Sequence, residues 1–504
     1  MIDSHGFLKS IPHNFKAKDQ ELIEKAFNFA QTAHKGQKRK SGEDYFEHCK
    51  HAAIILGQIF PDAPTLAATL LHDVPEDTKV TLEEVKNHFG DEIAGLVDGV
   101  TKLGHVRLRN SKDQYYVENL RKMFIATSAD VRVILIKLAD RLHNMRTISY
   151  IPEDKQKKVA TETLEMYAPI AGRLGISTWK DELEDLSFEI VFPKEFSETR
   201  KLLEGEMKKR DESIKEMQKN LAHILRTEGM KFEEISGRVK RLYSLWNKLR
   251  RYDKDISKIY DVVALRIITK TTADCYGIMG IIHNHYQPVP GRVKDYIAIS
   301  KPNGYQSLHT SVFDKHGGVF EIQIRTDLMH EEAERGIAAH WFYAEEGKES
   351  ANSPLQTHWI KELHAWQEET TNPEEYLESL RIDFFQDRIF VLTPKGDVKD
   401  LPRGATVIDF AFAVHSDLGY HMMGAKINGK MAKITDDLDQ GDVVEILKNK
   451  QPVKISRDWL EAAKTSGARN KIRHYLNEHD KGLLQRIKEL KLQDIHLPRF
   501  FRKK

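Results

Sequence analysis

Through the first 200 positions, apolar residues recur at helical spacing. Stretches at residues 22–33, 51–60, 66–71, 82–97, 117–125, 131–142 and 161–174 carry them at i, i+3, i+4. Strand-like alternation is scarce between them, so the pattern predicts an all-α first domain. Residues 196–228 keep a helical rhythm but are crowded with Lys and Glu, which reads as a solvated linker helix. From about residue 233 the period changes. Residues 259–269 (IYDVVALRIIT) and 317–326 (GGVFEIQIRT) are β-rich runs bounded by polar or glycine residues. Helical stretches at 241–251, 274–285 and 326–342 surround them, which predicts a compact α/β domain. A polar loop follows at 346–356.

Residues 387–448 form a third pattern: a strand, a Lys-Gly turn, a strand, a short helix at 407–415 and further strands through GAKING and DVVEIL. A hairpin, a helix and more strands in this span suit a small β-grasp module. The rest is helical and basic. The expected organisation is an all-α domain at 1–195, an α/β domain with its leading helix at 196–345, a linker at 346–386, the β-grasp module at 387–450 and a helical tail at 451–504. The fold class is multidomain α+β.

Composition narrows the function. The 78 basic and 76 acidic residues leave a net charge of +2, so any basic site is local rather than a property of the whole surface. Two cysteines, Cys49 and Cys275, supply neither a disulfide framework nor a four-thiolate zinc site. The opening residues lack an apolar core of signal-peptide length, and no run reaches the ~20 apolar residues that span a bilayer. The expectation is a cytoplasmic protein without membrane partners.

Two constellations carry chemistry. In the helical region, His48 stands upstream of LHDVPEDT (71–78), with KLADRLHNMRT (137–147) downstream. His72 and Asp73 lie four residues before Glu76 and Asp77, a spacing that stacks them on neighbouring faces of a helix. Asp140, Asn144 and Thr147 fall at i, i+4 and i+7, a polar stripe behind an apolar run. Buried carboxylates are costly unless paired or metal-bound. Two imidazoles with two carboxylates suit Mn²⁺ or another borderline divalent ion. Such an ion would acidify a water, and Glu76 and Asp77 could shuttle its proton. A lone His–Asp pair is more often a surface hydrogen bond; the combination of all three segments favours the metal.

In the α/β region, Arg238, Lys240, Arg292, Lys294, Lys301 and Arg325 supply cations for a triphosphate. Asp261 and Glu321 offer hard oxygens for Mg²⁺. Tyr305 can stack on a base, and Asn303 can read a base edge. In residues 319–326, Glu321, Gln323 and Arg325 alternate with Phe320, Ile322 and Ile324, which places the polar three on one face of a sheet.

These motifs together resemble the long RelA/SpoT homologues, over essentially residues 15–475. The resemblance implies a hydrolase domain of HD type in which His48, His72, Asp73 and Asp140 ligate Mn²⁺. Glu76 and Asp77 would serve the attacking water, and Arg39, Lys40, Ser41, Asn144 and Thr147 would hold the nucleotide. It implies a synthetase domain in which Asp261 and Glu321 hold Mg²⁺ and Glu321 deprotonates the acceptor hydroxyl. Arg238, Lys240, Arg266, Arg292, Lys294, Lys301, Asn303, Tyr305, Gln306, His309 and Arg325 would complete its nucleotide pocket. The implied reactions are pyrophosphoryl transfer from ATP to the 3′-hydroxyl of GDP or GTP, and hydrolysis of the resulting (p)ppGpp. Arg292-Val293-Lys294-Asp295 matches the basic RxKD variant of bifunctional members.

The third module is similar to the TGS domain, which implies tRNA and the ribosome as partners. Tyr420 holds the position where some members carry a histidine linked to the tRNA 3′ end, and His421 comes one later. Pro75 departs from the family pattern and would remove a helical hydrogen bond unless the helix begins there. The far C-terminal regulatory domains of the family are not in this sequence. Two alternatives stand beside the bifunctional enzyme: a one-way enzyme with one silent domain, and a tRNA- or ribosome-binding nucleotide sensor.

Overall fold

The computed structural model describes residues 3–104, 130–259, 261–301, 303–314, 317–339 and 388–478. The expected helix at 117–125, the loop and linker at 346–386, and the end of the tail at 479–504 lie outside the described residues. The chain divides into two compact units, one holding the described residues up to 339 and the other those from 388.

The first unit opens with helices α1 (Ser4–Lys9), α2 (Ala17–Ala33), α3 (Tyr45–Gly57), α4 (Ala63–Leu71), α5 (Val74–Asp77), α6 (Leu82–Gly104) and α7 (Val131–Arg146). α8 (Glu153–Glu162) leads through a π-turn at Thr163–Tyr167 into α9 (Ala168–Arg173), followed by α10 (Ser177–Val191). Strands are absent among the described residues here apart from an isolated bridge, Lys38 to Asp44, as the hydrophobic period predicts. α4 is apolar on every side and buried along its length, which makes it the central helix. α2, α3 and α6 pack on it. α6 is not one straight helix: Gly90, at φ +86°, breaks it.

Where a single helix could have carried His72 to Asp77, the structure has a break. α4 ends at Leu71, and α5 starts at Val74. Pro75 therefore sits in a first turn, where its missing N–H costs no helical hydrogen bond. The departure from the family pattern is accommodated locally.

α11 (Pro193–Thr227) corrects the linker expectation. Its second half buries Ile214, Met217, Leu221 and Leu225 in the core of the α/β region, with Leu203 and Met207 packed beside them. These positions repeat at helical spacing; the surrounding Lys and Glu cover the outer face. The helix is thus part of that core rather than a solvated spacer.

The sheet that follows comprises β1 (Glu234–Val239), β2 (Val263–Thr269), β3 (Lys294–Asp295), β4 (Leu308–Phe313) and β5 (Val319–Thr326), in the order β1-β2-β5-β4-β3. Only β2 and β5 run parallel. α12 (Leu242–Arg251) and α13 (Thr272–His285) complete its apolar side, and α14 (Asp327–Arg335) follows β5. The predicted alternation holds: Phe320, Ile322 and Ile324 enter the core. The register aligns Glu321 with Ala264 and Ser311, Gln323 with Arg266 and His309, and Arg325 with Ile268. One face of the sheet therefore collects Glu321, Gln323, Arg325, Arg266 and His309.

The second unit pairs β6 (Arg388–Leu392) with β7 (Val398–Pro402) and β8 (Met422–Ile427) with β9 (Lys430–Ala432) and β10 (Val444–Lys448). α15 (Val407–Val414) and α16 (Ser416–Tyr420) lie between. Strand, turn, strand and helix stand where the sequence predicts them. α17 (Arg457–Ala462) and the helical residues 466–478 share one core with this module through Ile455, Trp459, Ala463, Ala468 and Ile472. Asp409 ties the two: its fully buried carboxylate accepts hydrogen bonds from the N–H groups of Thr406, Lys464 and Thr465 and from the Thr465 hydroxyl.

Candidate active sites

The first site forms where α3, the α4–α5 junction and α7 meet. His48 Nε2 approaches Asp140 Oδ1 at 3.2 Å and Asp73 Oδ2 at 3.6 Å. His72 Nε2 lies 3.1 Å from Asp73 Oδ1, yet without the alignment of a hydrogen bond, and it is a buried nitrogen with no partner. Its other nitrogen, Nδ1, is 2.7 Å from the Thr69 carbonyl and can only donate there. Nε2 is thereby the nitrogen that faces the carboxylates. All four residues expected from the sequence converge, and ligand atoms of His48, His72 and Asp140 lie within 4.8 Å of one another. A buried imidazole nitrogen without a hydrogen-bond partner, set between two carboxylates, fits a divalent cation that would take the place of its proton.

The electrostatics agree with that donor set. Burial alone would raise the carboxyl of Asp140, but Lys137, with Nζ 2.8 Å from Oδ2, and His48 outweigh it and hold it well below the usual carboxylate range. Burial would likewise depress His72; the Asp73 carboxylate outweighs it and lifts the imidazole to about 9. A cation would displace that proton. The Cys49 sulfur groups with His72 and Asp73, but burial and nearby carboxylates push its thiol up, so it stays a poor ligand.

The residues around the cluster are ordered by contacts the sequence did not reveal. The Tyr45 hydroxyl donates to Asp77 Oδ2 at 2.6 Å and to Asp73 Oδ2 at 3.2 Å. Burial and Asp73 keep that phenol protonated. Asp77 is thereby fixed beside the cluster, one short helix from Asp73. Asn144 Nδ2 donates to Asp140 Oδ1 at 2.5 Å, while its Oδ1 accepts from Arg39 at 2.6 Å. Arg39 also reaches the Thr147 hydroxyl at 3.4 Å. Three of the expected nucleotide-binding residues thus form one chain with a metal-ligand candidate. Lys40 is exposed, and Ser41 turns toward Glu43 within its own loop.

The second site lies on the polar face of the sheet. Asp261 Oδ2 accepts from Lys240 at 2.6 Å and from Lys248 at 2.5 Å. Burial would raise its carboxyl, but the two ammonium groups bring it down to about 2. Glu321 is held down to about 2 against its own burial by His309, whose Nδ1 is 3.1 Å away. The nearby Asp261 charge acts on Glu321 in the opposite sense. Two ionised carboxylates whose charges act on each other offer the hard oxygens that Mg²⁺ favours. His309 Nε2 in turn meets the Tyr305 hydroxyl at 2.9 Å, and Lys301 lies over the rings of Tyr296 and Tyr305 at 4.7 and 4.8 Å. Arg238 donates to Gln323 Oε1 at 3.1 Å. Arg292 and Lys294 are exposed at the sheet edge, and Gln306 Nε2 holds the Ile297 carbonyl at 3.1 Å.

Three expected pocket residues are engaged by other parts of the protein. Asn303 directs Nδ2 to the Gly172 carbonyl at 3.3 Å, while its Oδ1 accepts from the Tyr305 N–H. Its amide is spent on bracing the loop against the helical region. Arg325 is 2% exposed, and His330 and Glu334 of α14 hold it at 2.6 and 3.3 Å. Glu334 also reaches Arg266 at 3.5 Å. Arg266 and Arg325 thus stand on that face tied to one carboxylate of α14. Lys248 carries the opposite lesson: nothing marked it in the sequence, yet it enters the site from α12.

In the second unit, Tyr420 packs against Phe412 and stacks on Tyr475, with its hydroxyl donating to the Lys471 carbonyl. His421 is turned onto Asp417.

Three segments of the chain match known protein families. Residues 26–177 match the HD domain, residues 237–348 match the region found in RelA/SpoT proteins, and residues 389–448 match the TGS domain. A GTP pyrophosphokinase of Myxococcus xanthus is 45% identical over 476 residues, covering 94% of this chain and 62% of its own. A GTP pyrophosphokinase of Streptomyces coelicolor is 45% identical over 473 residues, covering 90% of this chain and 55% of its own. The guanosine-3′,5′-bis(diphosphate) 3′-pyrophosphohydrolase of Aquifex aeolicus is 43% identical over 482 residues, covering 93% and 68%. The chain therefore spans 55–68% of the length of these curated relatives. Among the described residues, no helix is long and apolar enough to cross a membrane. With HD, RelA/SpoT and TGS segments in one order, and such identity over two thirds of the Aquifex aeolicus relative, the chain belongs to the RelA/SpoT family.

Proposed function

We propose that this chain is a bifunctional alarmone enzyme. One site transfers pyrophosphate from ATP to the 3′-hydroxyl of GDP or GTP, and the other hydrolyses (p)ppGpp to GDP or GTP and pyrophosphate. The observation that carries the reading is the pairing, in one chain, of a buried His48–His72–Asp73–Asp140 cluster having an orphaned His72 Nε2 with a separate ionised carboxylate pair, Asp261 and Glu321. Names of both kinds among the relatives support it. In domain terms, residues 1–195 would hydrolyse, 196–345 would synthesise and 387–450 would form the TGS module.

In hydrolysis, His48, His72, Asp73 and Asp140 would hold a divalent cation, for which Mn²⁺ suits the mixed N/O set. When bound there, it would supply Lewis acidity toward the phosphate and the attacking water. Glu76 and Asp77 orient that water and take its proton, with Tyr45 fixing Asp77. The water oxygen bonds to the phosphorus on the 3′-oxygen, and the P–O3′ bond breaks. The 3′-oxygen leaves as the hydroxyl of GDP or GTP after taking up a proton, and pyrophosphate is released. Arg39, Asn144 and Thr147 seat the nucleotide, joined by Lys40 and Ser41.

In synthesis, Asp261 and Glu321 would hold Mg²⁺, while Lys240, Lys248 and Arg238 compensate the triphosphate. Tyr305 stacks on the guanine, and Lys294, Lys301 and His309 close the pocket. Glu321 takes the proton of the 3′-hydroxyl as it attacks the β-phosphorus, and AMP leaves. Positioning and charge compensation carry the step.

A nucleic-acid role for the TGS module is part of the proposal, with tRNA or the ribosome as partner. Because Tyr420 is engaged in packing, we place that contact on other residues of the module.

The test is site separation. Asp140→Ala is expected to abolish hydrolysis and spare synthesis, and Asp261→Ala to do the reverse. Loss of both activities in either variant, with the fold intact, would overturn the two-site reading.

A further inference from the structure

His48 can serve a cation only if its Nε2 is bare. That nitrogen faces Asp140 and Asp73. Its proton then sits on Nδ1, and Nδ1 lies 2.7 Å from Nδ1 of His143, with both side chains buried. One of the two must donate. With His48 donating, His143 Nδ1 is the acceptor and the His143 proton resides on its Nε2.

The geometry around His143 is built to keep it there. It lies on α7, three residues after Asp140, so one helix delivers a ligand and the partner of another ligand. It is 8% exposed, and its ring stacks on His51 at 5.3 Å with planes 12° apart. The His143 backbone carbonyl accepts from the Thr147 hydroxyl at 3.0 Å. His143 is not among the residues whose ligand atoms converge; its Nδ1 points at His48, not at the carboxylates. His72 receives the equivalent service from a backbone carbonyl, that of Thr69. For His48 a second imidazole takes that part.

We propose that His143 is a positioning residue for the metal: it accepts the Nδ1–H of His48 and so fixes both the tautomer and the ring plane of that ligand, touching neither cation nor nucleotide. The proposal rests on the reading that His48, His72, Asp73 and Asp140 hold a divalent cation. Outer partners of ligating histidines typically change metal affinity by about 10–100-fold when removed.

The test measures Mn²⁺ binding to the chelator-stripped full chain, by the electron paramagnetic resonance signal of free Mn²⁺. Binding that is present in the wild type and absent in Asp140→Ala defines this site. His143→Ala is expected to weaken it by about 10–100-fold. His143→Asn places an amide oxygen near the position of Nδ1 and is expected to restore most of the affinity. Synthesis from ATP and GDP by the same preparations reports that each variant is folded. Wild-type affinity in His143→Ala would overturn the proposal. Equal weakness of the Ala and Asn variants, both folded, would also overturn it, because the role would then be packing. A wild type without the Asp140-dependent binding would instead overturn the metal reading beneath it.

Discussion

Gly336 offers the most demanding structural test. It follows α14 at φ +58° and ψ −134°, a conformation that side-chain-bearing residues rarely adopt. A Cβ there would stand 2.1 Å from the Leu174 oxygen, 2.5 Å from the Gly175 carbon and 2.7 Å from the Ile176 nitrogen. All three are backbone atoms, so no side chain can swing away. The loop they belong to is itself held, since the Ile337 N–H donates to the Leu174 carbonyl and the Thr178 hydroxyl to the Glu334 carbonyl. Backbone strain contributes about 1–3 kcal/mol and overpacking about 1–3 kcal/mol. With backbone on both sides of the clash, Gly336→Ala is expected to cost about 4 kcal/mol in all. At about 2–4 °C per kcal/mol for a unit of this size, melting should fall by roughly 10 °C. Gly90→Ala is the matched control: it has φ +86° but nothing within 4 Å of its Cβ, so strain acts alone, at about 1 kcal/mol. Thermal denaturation of the full chain reads both variants. Synthesis should suffer along with stability in Gly336→Ala, because the same helix end carries Glu334, which clamps Arg266 and Arg325. A melting point within about 2 °C of wild type, together with full synthesis, would refute the reasoning.

Other consequences are open to measurement. Burial raises the Glu184 carboxyl from 4.5 to about 7, against the pull of Lys180. The native state then keeps a proton that the unfolded state loses, so stability from this group is full below about pH 4.5 and declines as pH rises through about 7. Glu184→Gln should flatten that decline and gain about 3 kcal/mol at pH 8 relative to wild type; parallel pH–stability curves would contradict it. Lys248→Ala should cut synthesis by roughly 10–100-fold through loss of a charge-assisted contact, with hydrolysis unchanged, as initial rates at varied ATP would show. Asp409→Ala leaves at least three backbone N–H groups without their acceptor and should destabilise the second unit by about 4 kcal/mol, read by proteolysis of that unit while both activities persist.

How much of this was legible in the sequence depends on the range of the contact that decides it. The alternation of residues 319–326 gave the polar and apolar faces of β5 correctly because period two is a local property. The four residues that the resemblance named as metal ligands lie together; the stripe behind the apolar run of α7 accounts for Asp140 alone, which has nowhere to point but inward. α11 was misjudged because its Lys and Glu outnumber a stripe that only Ile214, Met217, Leu221 and Leu225 reveal. The break at His72–Asp73 was legible only through Pro75, for helical spacing looks the same across a two-residue interruption. Tyr45, His143 and Lys248 were missed for a different reason. Their roles rest on partners 13 to 95 positions away in the chain, and no periodicity encodes such pairings. Asn303 and Arg325 show the converse: residue types suited to a nucleotide are engaged instead by Gly172 and by Glu334.

The central claim is that one chain carries two working and separable sites. The measurement that tests it most directly follows nucleotides by ion-exchange chromatography. The purified chain receives ATP, GDP and Mg²⁺, and Mn²⁺ is added once product has accumulated. The account predicts ppGpp and AMP in equal amounts, followed on Mn²⁺ addition by decay of ppGpp to GDP and pyrophosphate. Absence of ppGpp in the first stage, or failure of added ppGpp to decay in the second, would contradict it.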